Sequence, residues 1–158
     1  MSAVTPAERR AHEDAVLALV RSPRPGALEE LLEPLAESLR SRFPRFTGVY
    51  FYWMAEPGTL VLRAFRGRPT EHVRIPVGQG ICGRAAREGR TVVVDDVNAD
   101  PAYLACSIET RSEIVVPVVR GSEVLGEIDI DSDVPAAFGE DDRKFLERLA
   151  ALIAAVAP

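Results

Sequence analysis

Positive charge is scarce in this sequence. Nineteen basic residues stand against 24 acidic ones, for a formal net charge of −5. That leaves no basic footprint for phosphate backbones, and nucleic-acid binding is not expected. Long apolar runs are missing as well, since none approaches the ~18 residues that a bilayer span needs. The first residues, Met1-Ser2-Ala3-Val4-Thr5-Pro6, lack the charged flank and apolar stretch of an export signal, so neither secretion nor a membrane partner is expected. Cysteine is rare, with two in 158 residues, which excludes a disulfide-stapled miniprotein. Two thiols without an export signal point to a reducing cytoplasm, where paired thiols are more often chemical than structural. The two histidines, His12 and His72, have no ligand-like spacing to each other or to the thiols, and no metal site is expected. Internal repeats and low-complexity tracts are absent.

What is present suits a single globular domain. The hydrophobic share of 47% and charged share of 27% lie near the usual ~45–50% and ~25%, and the length is that of one domain over 1–158. Helices are expected over 1–43, the sheet and site loops over 44–135, and a closing helix over 139–157. Thr5-Pro6-Ala7-Glu8 predicts a helix start with a capping box, running to about Val20. Leu28, Leu31, Leu32, Leu35 and Leu39 form the i, i+3, i+4 stripe of a second helix, closed by Pro44. From Gly48 the period changes to that of strands, predicted over 48–54, 60–65, 72–77, 91–97, 113–120 and 123–131. A short helix over 80–88, ended by Gly89, interrupts them, and 98–111 reads mostly as loop or short helix. The last helix opens at Glu140-Asp141-Asp142, with a buried stripe of Phe145, Leu146, Leu149, Leu152, Ile153 and Val156. Hairpins imply an antiparallel sheet, so the class is α+β with helices segregated to one face.

Gly78-Gln79-Gly80-Ile81-Cys82-Gly83 matches the dinucleotide fingerprint G-x-G-x-x-G, with Asp95 or Asp96 near the offset of a ribose-binding acid. A dinucleotide fold needs repeated βαβ crossovers, however, and only one short helix sits between strands here. The stretch is better read as a tight turn into a helix.

Three groups of residues carry candidate chemistry. Cys82 falls in the first turn of the predicted helix, where unpaired N–H groups and the helix dipole lower a thiol's pKa. Cys106 lies 24 positions later, in the loop Tyr103-Leu104-Ala105-Cys106-Ser107. No CxxC motif joins the two, so a redox pair and two small buried hydrophobes both remain open. Glu113 begins one strand, while Asp129 and Asp131 end the next and share a face. A two-residue turn at Gly121-Ser122 would pair Glu113 with Ile130 and put it on the wrong face. Clustering of the three acids therefore requires an odd-length loop, a bulge, or a Glu113 outside the ladder. Such a cluster would suit an ammonium-bearing ligand or hold a proton to donate; otherwise these are solvated acids at a strand end. In the aromatic strand Tyr50, Tyr52 and Met54 face one way and Val49, Phe51 and Trp53 the other. One face is core, and the other either lines an apolar slot or packs ordinarily.

Four motifs in order resemble the GAF family, and within it the free methionine-(R)-sulfoxide reductases. They are the stretch from Val73 through Gly83, Leu104-Ala105-Cys106, the run from Ser112 to Pro117, and the run from Gly126 to Ser132; Phe138-Gly139-Glu140-Asp141-Asp142 is similar to the family's entry to its last helix. The resemblance covers about 48–149. It implies an antiparallel sheet of about six strands with helices packed against it, and reduction of free L-methionine-(R)-S-oxide to L-methionine through a sulfenic acid and a disulfide. By position, Cys106 matches the catalytic cysteine and Cys82 a second cysteine that would close the disulfide. Glu113, Asp129 and Asp131 match the acids that hold the substrate. Tyr50 and Phe46 are assigned to substrate binding too, Phe46 standing where many members have tryptophan, and His72 where many have a resolving cysteine. No bound cofactor is implied; an external dithiol such as thioredoxin would reset the thiols, and a homodimer is compatible with the family. A non-catalytic GAF sensor of small molecules, or a thiol redox sensor, is the alternative.

Overall fold

A computed structural model describes residues 3–20, 26–101, 103 and 108–158. Helix α1 spans Pro6–Leu17 and opens with the expected box: the Glu8 N–H donates to Thr5 Oγ1 at 3.2 Å, and the Thr5 N–H donates to Glu8 Oε2 at 2.7 Å. It stops at Leu17, short of Val20. Helix α2, Leu28–Arg42, buries its leucine stripe.

Six strands follow: β1 Gly48–Glu56, β2 Thr59–Arg66, β3 Arg74–Pro76, β4 Val92–Val94, β5 Ser112–Arg120 and β6 Glu123–Ser132. They form one sheet in the order β3-β2-β1-β6-β5-β4, with every pairing antiparallel. The two edge strands are the shortest, each three residues against the longer runs predicted for them, as short edges are less open to pairing with another chain. Helix α3 spans Gly80–Glu88, a 3-10 turn Val97–Ala99, and helix α4 Glu140–Val156.

The sheet's faces separate as the alternation in β1 predicts. Val49, Phe51 and Trp53 join Ile114, Val116, Ile128 and Ile130 in a core covered by α1, α2 and α4. Tyr50 and Tyr52 lie on the other face with Leu60, Ile75 and Val115. The helices are not all on one side. Helix α3 packs on that second face, because Ile81, Cys82, Ala85 and Ala86 give it an apolar stripe that meets the tyrosines. In α4 the buried pairs are Phe145/Leu146, Leu149/Ala150 and Ile153/Ala154. Leu152 falls off that stripe and is 36% exposed.

Candidate active site

The second face is where the acids gather. Strand β6 reads Glu127-Ile128-Asp129-Ile130-Asp131, and strict alternation sends the isoleucines to the helix-side core and all three acids to the opposite face. Glu127 is 0% exposed, Asp129 2% and Asp131 5%. Glu113 on β5 pairs with Asp131, and on β1 Tyr50 pairs with Asp129 and Tyr52 with Glu127. The register is made by a bulge: Arg120 pairs with Glu123 and Val119 with Val124, but Val118 pairs with Gly126, leaving Leu125 as the extra residue. Of the three conditions the sequence allowed, the bulge is the one adopted. Gly126 is required beside it, because a Cβ there would lie 2.3 Å from Trp53 Cε3 and 2.4 Å from the Tyr52 carbonyl oxygen.

Helix α3 lays Cys82 over the acids. Its glycine-rich entry is a backbone turn and not a phosphate cradle: the Gly78 N–H donates to the Gly83 carbonyl at 2.8 Å and the Gly83 N–H to the Gln79 carbonyl at 2.9 Å. A Cβ on Gly83 would lie 2.7 Å from the Pro76 carbonyl oxygen, so only glycine lets the helix start this close to β3. Cys82 Sγ and one carboxylate oxygen each of Glu113 and Asp129 lie within 4.8 Å of one another, and all three residues are buried. They line a cavity of about 20 Å³ with Tyr52, His72 and Ile81, space for one water or ion. A larger ligand enters only by displacing its walls. The Tyr52 hydroxyl donates to the His72 carbonyl at 2.7 Å. On the other side of Tyr50, Asp131 lines a narrow cleft with Arg68 and Thr110. Arg68 is held there by a bidentate pair to Asp133, at 2.8 and 2.5 Å.

Electrostatics follow from burial of like charges. Burial, then Asp129, pushes the Glu127 carboxyl well above the usual carboxylate range. Burial raises Asp129 as well, opposed by hydrogen bonds with Glu113 and Cys82. Burial, then Asp129 and Asp133, pushes Asp131 well up against the pull of Arg68. The Cys82 thiol is also pushed well up, first by burial and then by Asp129, Glu127 and Glu113. The helix start was expected to lower it. Three carboxyls and loss of water outweigh the partial charge of one short helix's N-terminus, so Cys82 rests as a thiol.

Of the residues singled out in the sequence, Cys82, Glu113 and Asp129 meet at one cavity, and Asp131 and Tyr50 line the adjoining cleft. Phe46 does not join them. It belongs to the helix-side core, stacked on Phe43 at 4.8 Å and tilted against Phe138 at 5.7 Å. Cys106 lies outside the described residues. Glu127 was missed as a site residue, although its signal was available: it precedes Asp129 by two and so must share its face.

Comparison with known proteins places this geometry. The GAF domain family model matches residues 27–156. Protein YtsP of Bacillus subtilis is 42% identical over 101 residues, 64% of this chain and 61% of the relative, so the chain spans about three fifths of that protein's length. The free methionine-R-sulfoxide reductase of Escherichia coli is 35% identical over 122 residues, 76% of this chain and 73% of the enzyme. Among solved structures, the free methionine-R-sulfoxide reductase of Neisseria meningitidis in complex with its substrate superposes with a TM-score of 0.86. It is 34% identical, over 98% of this chain and 92% of that one.

Proposed function

The chain belongs to the GAF domain family, and on that premise we propose that it reduces free L-methionine-(R)-S-oxide to L-methionine with a cysteine nucleophile. The observation that carries this reading is the sealed cluster of Glu113, Glu127, Asp129 and Asp131 against Cys82. Carboxyls packed this closely must hold protons or meet a cation, and Arg68 is engaged by Asp133. The α-ammonium of a free amino acid is such a cation, and a peptide-bound methionine sulfoxide lacks it. Selection of the free substrate then follows from charge.

In the reaction, the Cys106 thiolate attacks the sulfoxide sulfur while a protonated acid among Glu113, Asp129 and Asp131 donates to the departing oxygen. Burial raises the pKa of Asp129 and of Asp131, which supports a carboxyl that holds its proton more tightly than one in water. Methionine leaves, and Cys106 is left as a sulfenic acid. The Cys82 thiol attacks that sulfur, a disulfide forms and water departs. Its proton reaches the departing hydroxyl by way of a neighbouring carboxylate, for which the hydrogen bond with Asp129 is the route. An external dithiol such as thioredoxin then supplies two electrons and two protons and restores both thiols. No cofactor enters these steps, and the reducing cytoplasm is the compartment they suit. Among the described residues no helix is long and apolar enough to cross a membrane.

The test is incubation with racemic methionine sulfoxide and dithiothreitol, with the two epimers followed separately. Loss of the R epimer alone is the expected result. Cys106→Ser should abolish turnover, and Cys82→Ser should allow one turnover when thioredoxin is the reductant. Ligand binding with no consumption of either epimer would instead select a non-catalytic sensor, and multi-turnover activity in Cys106→Ser would end the mechanism.

A further inference from the structure

The cavity has a second capacity, for which the reductase reading has no use. Cys82 Sγ, a Glu113 oxygen and an Asp129 oxygen already converge within 4.8 Å. Asp129 Oδ1 is buried with no hydrogen-bond partner among the described residues. His72 lines the same cavity; its ring nitrogens lie outside the 4.8 Å group, so its imidazole must swing in to become a fourth donor. Sulfur, carboxylate oxygen and imidazole nitrogen together are the donor set of borderline divalent ions, zinc above all, whereas magnesium and calcium take oxygen alone. Bonds of about 2.0–2.3 Å put tetrahedral ligands about 3.5 Å apart, so the three donors need draw in by only about an ångström. The cavity's size is that of one ion.

We propose that Cys82, Glu113 and Asp129, with His72 as the fourth ligand, form a binding site for Zn²⁺ or a cation of the same thiophilic class. On binding, the Cys82 S–H bond breaks, its proton goes to solvent, and a metal–thiolate bond takes its place. The ion's two positive charges offset the loss of water and the repulsion from the carboxylates that a buried thiolate meets there. Sequence spacing gave no hint of this, because the ligands come from a helix, a loop and two strands that only the fold brings together. The site requires the cluster alone, so it stands or falls separately from the reductase activity.

The test uses the full chain, reduced with a phosphine that competes weakly for metal. Titration with Cd²⁺ should raise the ultraviolet thiolate-to-cadmium charge-transfer band, saturating at one ion per chain. Zn²⁺ should displace Cd²⁺ while a large excess of Mg²⁺ does not. Cys82→Ser should lose the band and Cys106→Ser should keep it. Even an outer-shell hydrogen bond is worth about 10–100-fold in metal affinity. Glu113→Gln and Asp129→Asn should therefore each weaken Zn²⁺ binding at least tenfold, measured by competition with a chromophoric chelator. His72→Ala, at the rim, should do the same without disturbing the buried members. Absence of the band, a band that depends on Cys106 and not on Cys82, or a Zn²⁺ affinity unmoved by all three ligand variants would overturn the proposal.

Discussion

Replacing Glu127 by glutamine should make the protein more stable than its parent, and increasingly so as the pH rises. Glu127 is fully buried, and neither carboxyl oxygen has a hydrogen bond of good geometry among the described residues. Burial and the nearby Asp129 raise its pKa well above 4.5. A group raised in this way binds its proton more tightly in the folded than in the unfolded chain. Its contribution is therefore fully present below the unfolded pKa and is lost as pH rises toward the folded one. In that window each pH unit removes about 1.4 kcal/mol, the free energy of one proton's differential binding. Glutamine has nearly the same shape and never ionises, so Glu127→Gln escapes this loss. Urea denaturation from about pH 5 to about pH 8 would compare the two proteins. Their difference should favour the variant by about 1.4 kcal/mol more for each pH unit, levelling off once the parent's folded pKa is passed. A difference that is constant with pH, or that shrinks as pH rises, would refute the assignment of Glu127 as a buried, proton-holding carboxyl.

The bulge glycine should not accept a methyl group: Gly126→Ala meets Trp53 Cε3 and the Tyr52 carbonyl at 2.3 and 2.4 Å, and should cost roughly 1–3 kcal/mol in a denaturant titration. An unchanged midpoint would contradict the close approach. Asp129→Asn should raise KM for free methionine sulfoxide by roughly 10–100-fold, the worth of a charged hydrogen bond of about 1.5–3 kcal/mol. Activity on the N-acetylated substrate should stay low, so discrimination between the two shrinks; equal losses on both would count against an ammonium site. Arg120 donates to the Ala154 carbonyl at 2.9 Å and to the Ala157 carbonyl at 2.7 Å, holding the end of α4 to β5. Arg120→Ala should therefore speed amide exchange in the last turn of α4, and unchanged protection there would show the clamp to be idle.

Periodicity made most of the fold legible. The capping box, the leucine stripe of α2, the two hairpins and the split of β1 into two faces all follow from residue type and spacing. What sequence could not supply was the side on which α3 packs. A nine-residue helix with an apolar stripe suits either face of a sheet, and here it is the helix-side core, already filled by α1, α2 and α4, that leaves it the tyrosine face. The misplacement of Phe46 has a related origin. It precedes β1, whose alternation assigns faces only to residues inside the strand, and its destination is set by Phe43 and Phe138 from elsewhere in the chain.

The site turns on one uncounted residue. Continued from the turn at Gly121-Ser122, the pairing of Arg120 with Glu123 would put Glu113 opposite Ile130 and send its carboxyl into the helix-side core. An ionised carboxyl there would meet only the apolar neighbours of Ile114 and Val116, at a cost of several kcal/mol. Slipping Leu125 out of register moves every later residue of β6 by one position and so reunites Glu113 with Asp131 across the ladder. The hydrophobic pattern alone demands the same slip, since it also brings Ile114 opposite Ile130 and Val116 opposite Ile128, apolar against apolar on one face. Core and site are thus satisfied by a single register. The acids are collected without a separate structural device, because the arrangement that buries the isoleucines on one side of the sheet obliges the carboxyls to meet on the other.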